Sequence, residues 1–239
     1  MRREPIFNVP TSVLAALVVL VAVHAVLWWW MAPEQADWVT LALAFIPARY
    51  AGFAAELPGG PLAAVTSFFT YQLVHADVTH LLVNAAWLLA FGSAVAMRIG
   101  MLRFFAFSLL SGACGALLFL LLRWGEAVPV IGASGAVSGM MAASMRFLFT
   151  SLGEADVEGF RDHRRRPALL SLVDTLSNGR ILMVIGVWII INFVMALAAP
   201  ALTSAGGIAW QVHLGGFAFG LLTFGFFDRA PQQADEPIA

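Results

Sequence analysis

Apolar residues in this chain come in long blocks rather than in the alternating or 3.6-residue patterns of half-buried elements. Val13 to Ala32 is a run of 20 residues broken only by His24. At ~1.5 Å per residue it makes about 30 Å of helix, the thickness of a hydrocarbon core. Trp28, Trp29 and Trp30 close the run as an interfacial anchor, where a cleaved signal would show small residues. An uncleaved first helix is therefore expected after Arg2 and Arg3. From Pro33 to about Gln72 the pattern is irregular. A short amphipathic piece, Trp38 to Ile46, is followed by Pro47 and by a Gly59-Gly60-Pro61 break, which predicts a long loop with one or two interfacial helices. Further apolar stretches follow at roughly 79–97, 102–122, 134–150, 181–199 and 208–227. Six spans are expected. The fourth is rich in Gly and Ser, the small residues that closely packed membrane helices use.

Composition agrees with the pattern. Hydrophobic residues make up 61% and charged residues 11% of the chain, whereas about a quarter of a soluble chain is charged. The reading is an all-α integral membrane protein: one domain over 1–239, a six-helix bundle with a long membrane-associated first loop and short polar tails. A net charge of −1 with isolated arginines argues against nucleic-acid binding, which needs a basic stripe. The single Cys114 excludes an intrachain disulfide and a multi-cysteine metal site, and it reads as a small buried thiol.

Arginine placement sets the orientation, because positive charge accumulates on the cytoplasmic side of short loops. With the N-terminus inside, eleven arginines (Arg2, Arg3, Arg98, Arg103, Arg146, Arg161, Arg164, Arg165, Arg166, Arg180 and Arg229) fall on the cytoplasmic side. Only Arg49 and Arg123 fall outside. The segment Ser151 to Asn178, with His163 among its arginines, becomes a cytoplasmic loop that marks topology and contacts lipid. Spans two, four and six then all run from outside to inside. His80, Ser134 and His213 lie in their first turns and share one depth, a few angstroms to roughly 10 Å below the outer surface.

That coincidence directs attention to chemistry. Ser134 alone suits an ordinary interhelical hydrogen bond. Gly132 and Gly135 flank it, however, removing side-chain bulk so that a substrate backbone can approach, and a helix N-terminus offers unpaired N–H groups to a developing oxyanion. A serine hydroxyl needs a base, and a neutral His213 can take its proton and return it to a leaving amine. Gly216 and Gly220 form a GxxxG spacing behind His213, and Gly135 and Gly139 repeat it behind Ser134. A close crossing of spans four and six is expected to bring the two residues together. His80 and Asn84 share one helix face and both donate hydrogen bonds, so they are assigned to the oxyanion. The same pair also suits a helix-to-helix hydrogen bond. A metal bound with His75 needs three or four ligands, and Asp77 is the only acid nearby, so no metal is assigned. His75 is expected to fix the loop before span two, His24 to serve interhelical packing, and Trp87 and Phe91 to be core.

Taken together, these residues resemble the rhomboid intramembrane serine proteases. The matches are Gly132-Ala133-Ser134-Gly135 for the GxSG nucleophile motif, His75, His80 and Asn84 for the polar positions of the second helix, and His213-Leu214-Gly215-Gly216 with Gly220 for the base-bearing helix. The resemblance runs from about Val13 to Arg229. It implies a serine endopeptidase with a Ser-His dyad and no third acidic member, in which Ser134 attacks, His213 is the base, and His80 and Asn84 complete an oxyanion hole. It implies no cofactor, transmembrane protein substrates, and a bacterial inner-membrane protein with both termini cytoplasmic and the site opening to the periplasmic side. The first loop and the edge of the fifth helix are the expected points of substrate access; no oligomeric state is indicated. Two positions depart from many members: Thr66-Ser67 stand in place of a Trp-Arg pair, and Ser138 stands in place of an aromatic that stacks on the catalytic histidine. A catalytically inactive relative that binds membrane proteins would be expected to lack Ser134 or His213. A transporter would be expected to show an internal repeat or a midplane acidic residue. Neither expectation matches this chain.

Overall fold

The computed structural model describes residues 9–151, 168–202 and 209–228. Helix α1 (Thr11–Ala25) continues through a π-helical turn at Val26–Trp30, giving one 20-residue apolar helix, Thr11–Trp30. The amphipathic piece expected from Trp38 begins earlier, as α2 (Pro33–Leu43), because the fixed φ of Pro33 suits a first helical turn. It also stops short of Ile46. Phe45 leaves to pair antiparallel with Val130, through N–H···O bonds of 3.0 and 2.8 Å, and so ties the first loop to the segment leading into Ser134. At the Gly59-Gly60-Pro61 break α3 (Gly60–Thr70) begins, with Gly59 at its N-cap and Pro61 in its first turn.

Asp77 caps the next helix by accepting the His80 N–H at 2.8 Å. From there α4 (Val78–Trp87), a π-helical turn (Leu88–Gly92) and α5 (Ser93–Ile99) form one continuous 22-residue rod. The remaining helices are α6 (Met101–Leu122), α7 (Ser134–Ser151), α8 (Leu172–Ser177), α9 (Gly179–Leu202) and α10 (Trp210–Phe227). Among the described residues the fold is an all-α membrane bundle. Four of its helices are long and apolar enough to cross a bilayer: Thr11–Trp30, Val78–Ile99, Met101–Leu122 and Gly179–Leu197. The expected count of six is not reached on that measure, since α7 and α10 are not among the four. For α7, whose Ser, Gly and Arg146 make it less apolar, position explains why. Every residue from 135 to 147 is buried, so α7 is surrounded by protein and has no need of a lipid-facing apolar surface.

Helices α6, α7 and α10 form the centre. A Cβ added at Gly216 would collide with the Gly135 carbonyl, and one at Gly220 with the Gly139 carbonyl. The expected crossing of the two glycine-bearing helices is thus a backbone-to-backbone contact. Phe104, Phe107, Met140 and Phe224 fill the core below it. Trp87 is a correction: it is 46% exposed and stacks on Phe91 rather than entering the core. A bilayer accepts large apolar side chains on the outer face, so apolar character does not there imply burial.

Positive charge gathers at the far ends of these helices. Arg98 pairs with Asp228 at 2.6 Å and lies over the Phe147 ring. Arg146 is buried, with its guanidinium donating to the carbonyls of Leu170 at 2.9 Å and Leu221 at 3.1 Å. The loop arginines 161 and 164–166, with His163, lie outside the described residues, as do Arg2, Arg3 and Arg229.

Candidate active site

The near ends of α4, α7 and α10 meet at Ser134. It is the first residue of α7, and the loop before it is held from three sides. The Gly132 N–H donates to the Tyr71 carbonyl at 2.9 Å. The Ala133 N–H points to His75 Nε2 at 3.4 Å, and Val130 sits in the bridge to Phe45. Tyr71, fully buried, also donates its hydroxyl to the Gly112 carbonyl of α6 at 2.8 Å. One residue therefore fixes both the approach to α7 and the helix beside it.

Gly132 adopts φ +116°, a left-handed conformation that favours glycine, and the His80 ring lies against it. A Cβ there would stand 2.7 Å from His80 Nε2 and Cε1. This is the close approach that the glycine before the serine was expected to allow, although the group approaching it here is a side chain of the protein itself. The first intrahelical bond of α7 runs from the Val137 N–H to the Ala133 carbonyl at 3.0 Å. The N–H groups of Ser134, Gly135 and Ala136 therefore have no partner in the turn ahead of them.

Ser134 Oγ lies 2.8 Å from His213 Nε2, on the first turn of α10. The other ring nitrogen, Nδ1, lies 2.5 Å from Asn192 Oδ1 on α9. Asn192 was not singled out in the sequence. It is the only charged or amide side chain from 181 to 199, and a polar group in an apolar span is itself a pointer to function. Tyr71 carried no comparable signal.

The other expected residues take more local positions. Asn84 is buried and its amide donates to the carbonyl of His80, one turn earlier, at 3.0 Å; the His80 ring is half-buried. His75 is buried, with its ring edge-on to that of His80 at 5.0 Å. Burial first, then the neighbouring His80 and His24, push the His75 imidazole down to about 3, so it stays neutral and able to accept. His24 is buried beside Trp28 at 5.5 Å between ring centroids. Among the described residues, no group of three or more His, Cys, Asp or Glu side chains could hold a metal ion. Asp77 is engaged as the cap of α4.

Chemically, the arrangement offers a hydroxyl against an imidazole nitrogen, with unpaired N–H groups and two side-chain donors within the same end of the bundle. No curated protein matches the chain. A family model described as Rhomboid domain matches residues 63–229, more than half of the chain, a range that includes Tyr71, His75, His80, Asn84, Ser134, Asn192 and His213.

Proposed function

The chain belongs to the rhomboid family, generally intramembrane serine proteases acting on membrane proteins, and on that premise we propose that it is an active intramembrane serine endopeptidase. The observation that carries the proposal is the 2.8 Å contact between Ser134 Oγ and His213 Nε2. His213 takes the hydroxyl proton as Ser134 attacks a substrate carbonyl, then passes it to the leaving amine. Water, deprotonated by the same imidazole, hydrolyses the acyl-enzyme. The oxyanion is met by the free N–H groups at the start of α7, with His80 and Asn84 as further donors.

The substrates are transmembrane or membrane-proximal segments, reaching Ser134 past the first loop or the edge of α9. That helix has only 6% of its apolar stretch buried, against 39% for α6. Helices α7 and α10 cross the bilayer with the four more apolar helices. The site opens to the outer side of a bacterial inner membrane, an orientation supported by Arg98 and Arg146 at the opposite end of the bundle.

The test is cleavage of a panel of transmembrane substrates by the purified protein, with fluorophosphonate labelling alongside. Ser134 is expected to be labelled, and Ser134→Ala to lose both label and cleavage while keeping its thermal stability. Residual cleavage above roughly a hundredth of wild type would point to another nucleophile, because removing a nucleophile costs several orders of magnitude. His213→Ala is expected to lose both signals as well. Persistence of labelling in that variant would move the base elsewhere.

A further inference from the structure

We propose that Asn192 is a positioning residue of the hydrolytic site, its Oδ1 accepting the Nδ1–H of His213 and holding the imidazole in the tautomer whose Nε2 is free to take the Ser134 proton. The inference rests on the reading of Ser134 and His213 as nucleophile and base, and deepens it by supplying the third member of the relay.

The argument begins with the amide. Asn192 Nδ2 donates to the Trp188 carbonyl, one turn earlier on α9, at 2.8 Å. The reverse flip would set Oδ1 against that carbonyl, acceptor against acceptor, so the amide orientation is determined by its own helix. Oδ1 therefore faces His213 and can only accept. With Nδ1 at 2.5 Å from Oδ1, the ring must carry its proton on Nδ1. Nε2 is then a bare lone pair, 2.8 Å from the Ser134 hydroxyl, which is the state a general base requires.

Packing fixes the register of the contact. The Trp188 and Phe217 rings stack with centroids 4.5 Å apart and an interplanar angle of 22°. Trp188 precedes Asn192 by four residues and Phe217 follows His213 by four, so on these antiparallel helices the stack and the Asn192–His213 bond form adjacent rungs. The residue four after the nucleophile, Ser138, offers no ring to the imidazole. An amide in an otherwise apolar lipid-exposed helix has no packing reason to be there, and the hydrogen bond supplies one.

The test compares wild type with Asn192→Leu, which keeps much of the volume but removes the acceptor, and Asn192→Asp, which restores an acceptor oxygen. The readouts are fluorophosphonate labelling rate at Ser134, kcat and KM on a transmembrane substrate, and the 15N shifts of the His213 ring. In a serine protease, replacement of the orienting carboxylate by an amide enforces the wrong tautomer and costs about 10⁴-fold. Leucine only removes the preference, so Asn192→Leu is expected to lower kcat and labelling by about 10- to 100-fold with KM unchanged. Its His213 shifts should move from a single Nδ1–H form to a mixture, and Asn192→Asp should recover most of the rate. Labelling of Asn192→Leu at the wild-type rate, or an unchanged Nδ1–H signature in that variant, would overturn the proposal. Wild-type protein that fails to label at Ser134 would instead overturn the protease reading, and the 15N comparison would still decide the role of Asn192.

Discussion

Gly216 on α10 and Gly135 on α7 meet backbone against backbone, with no space for a Cβ on Gly216 beside the Gly135 carbonyl. Gly135 follows Ser134 directly and Gly216 lies three residues after His213, so this contact sets the separation of the proposed nucleophile and base.

Gly216→Ala is therefore expected to push the two helices apart and break the Ser134–His213 hydrogen bond. A misplacement near 1 Å can cost about 100-fold in rate, and forcing a methyl into a packed contact costs about 1–3 kcal/mol. Both losses should appear together, as slower Ser134 labelling and a lower unfolding temperature in detergent. Gly186→Ala is the control, since a Cβ there meets nothing within 4 Å. Equal behaviour of the two variants would show that the crossing does not control the site.

Gly132 tests the loop. Its φ of +116° strains any other residue, and a Cβ would displace the His80 ring. Gly132→Ala is expected to destabilise the protein by about 1–3 kcal/mol and to slow labelling of Ser134. Equilibrium unfolding in mixed micelles measures the first effect and the labelling rate the second. If labelling is unaffected, His80 has no part in the chemistry at Ser134.

Much of this site was legible because membrane sequence is so restrictive. His80, Ser134 and His213 were conspicuous as polar residues at one expected depth, and the paired GxxxG spacings correctly indicated which helices cross. Asn192 was overlooked because it lies in mid-helix, 21 residues from the histidine it contacts, in a span that otherwise reads as uniformly apolar. Tyr71 was invisible for a different reason: its role lies largely in its main-chain carbonyl, which accepts from Gly132, and no side-chain pattern records that. The Phe45–Val130 bridge likewise consists of backbone bonds between segments 85 residues apart. Trp87 misled because the rule that apolar residues are buried fails when the solvent is lipid.

Asn84 separates ground-state binding from transition-state stabilisation. Its amide uses one N–H on the His80 carbonyl, leaving the second for an oxyanion that exists only during reaction. Removing one such donor from a soluble protease costs about 10²–10³ in turnover, and sharing with the N–H groups of α7 should reduce this. Asn84→Ala is expected to lower kcat about 10- to 100-fold with KM nearly constant. A raised KM at unchanged kcat would reassign Asn84 to substrate binding.

His75 gives the protein a pH-dependent stability that its chemistry does not require. The imidazole accepts from the Ala133 N–H only when neutral, and burial together with His80 and His24, opposed by the Leu73 backbone and Asp77, lowers it from 6.5 to about 3. Between those values the unfolded chain binds a proton that native His75 does not. Its contribution to stability is therefore complete above about pH 6.5 and declines as pH falls, by at most about 1.4 kcal/mol per unit, until it levels off near pH 3. His75→Gln keeps an acceptor for Ala133 but does not titrate. The unfolding temperature of the wild type should therefore fall more steeply than that of His75→Gln between about pH 6.5 and 4. Parallel curves would mean that His75 is protonated in the native state and that the loop before Ser134 is held without it.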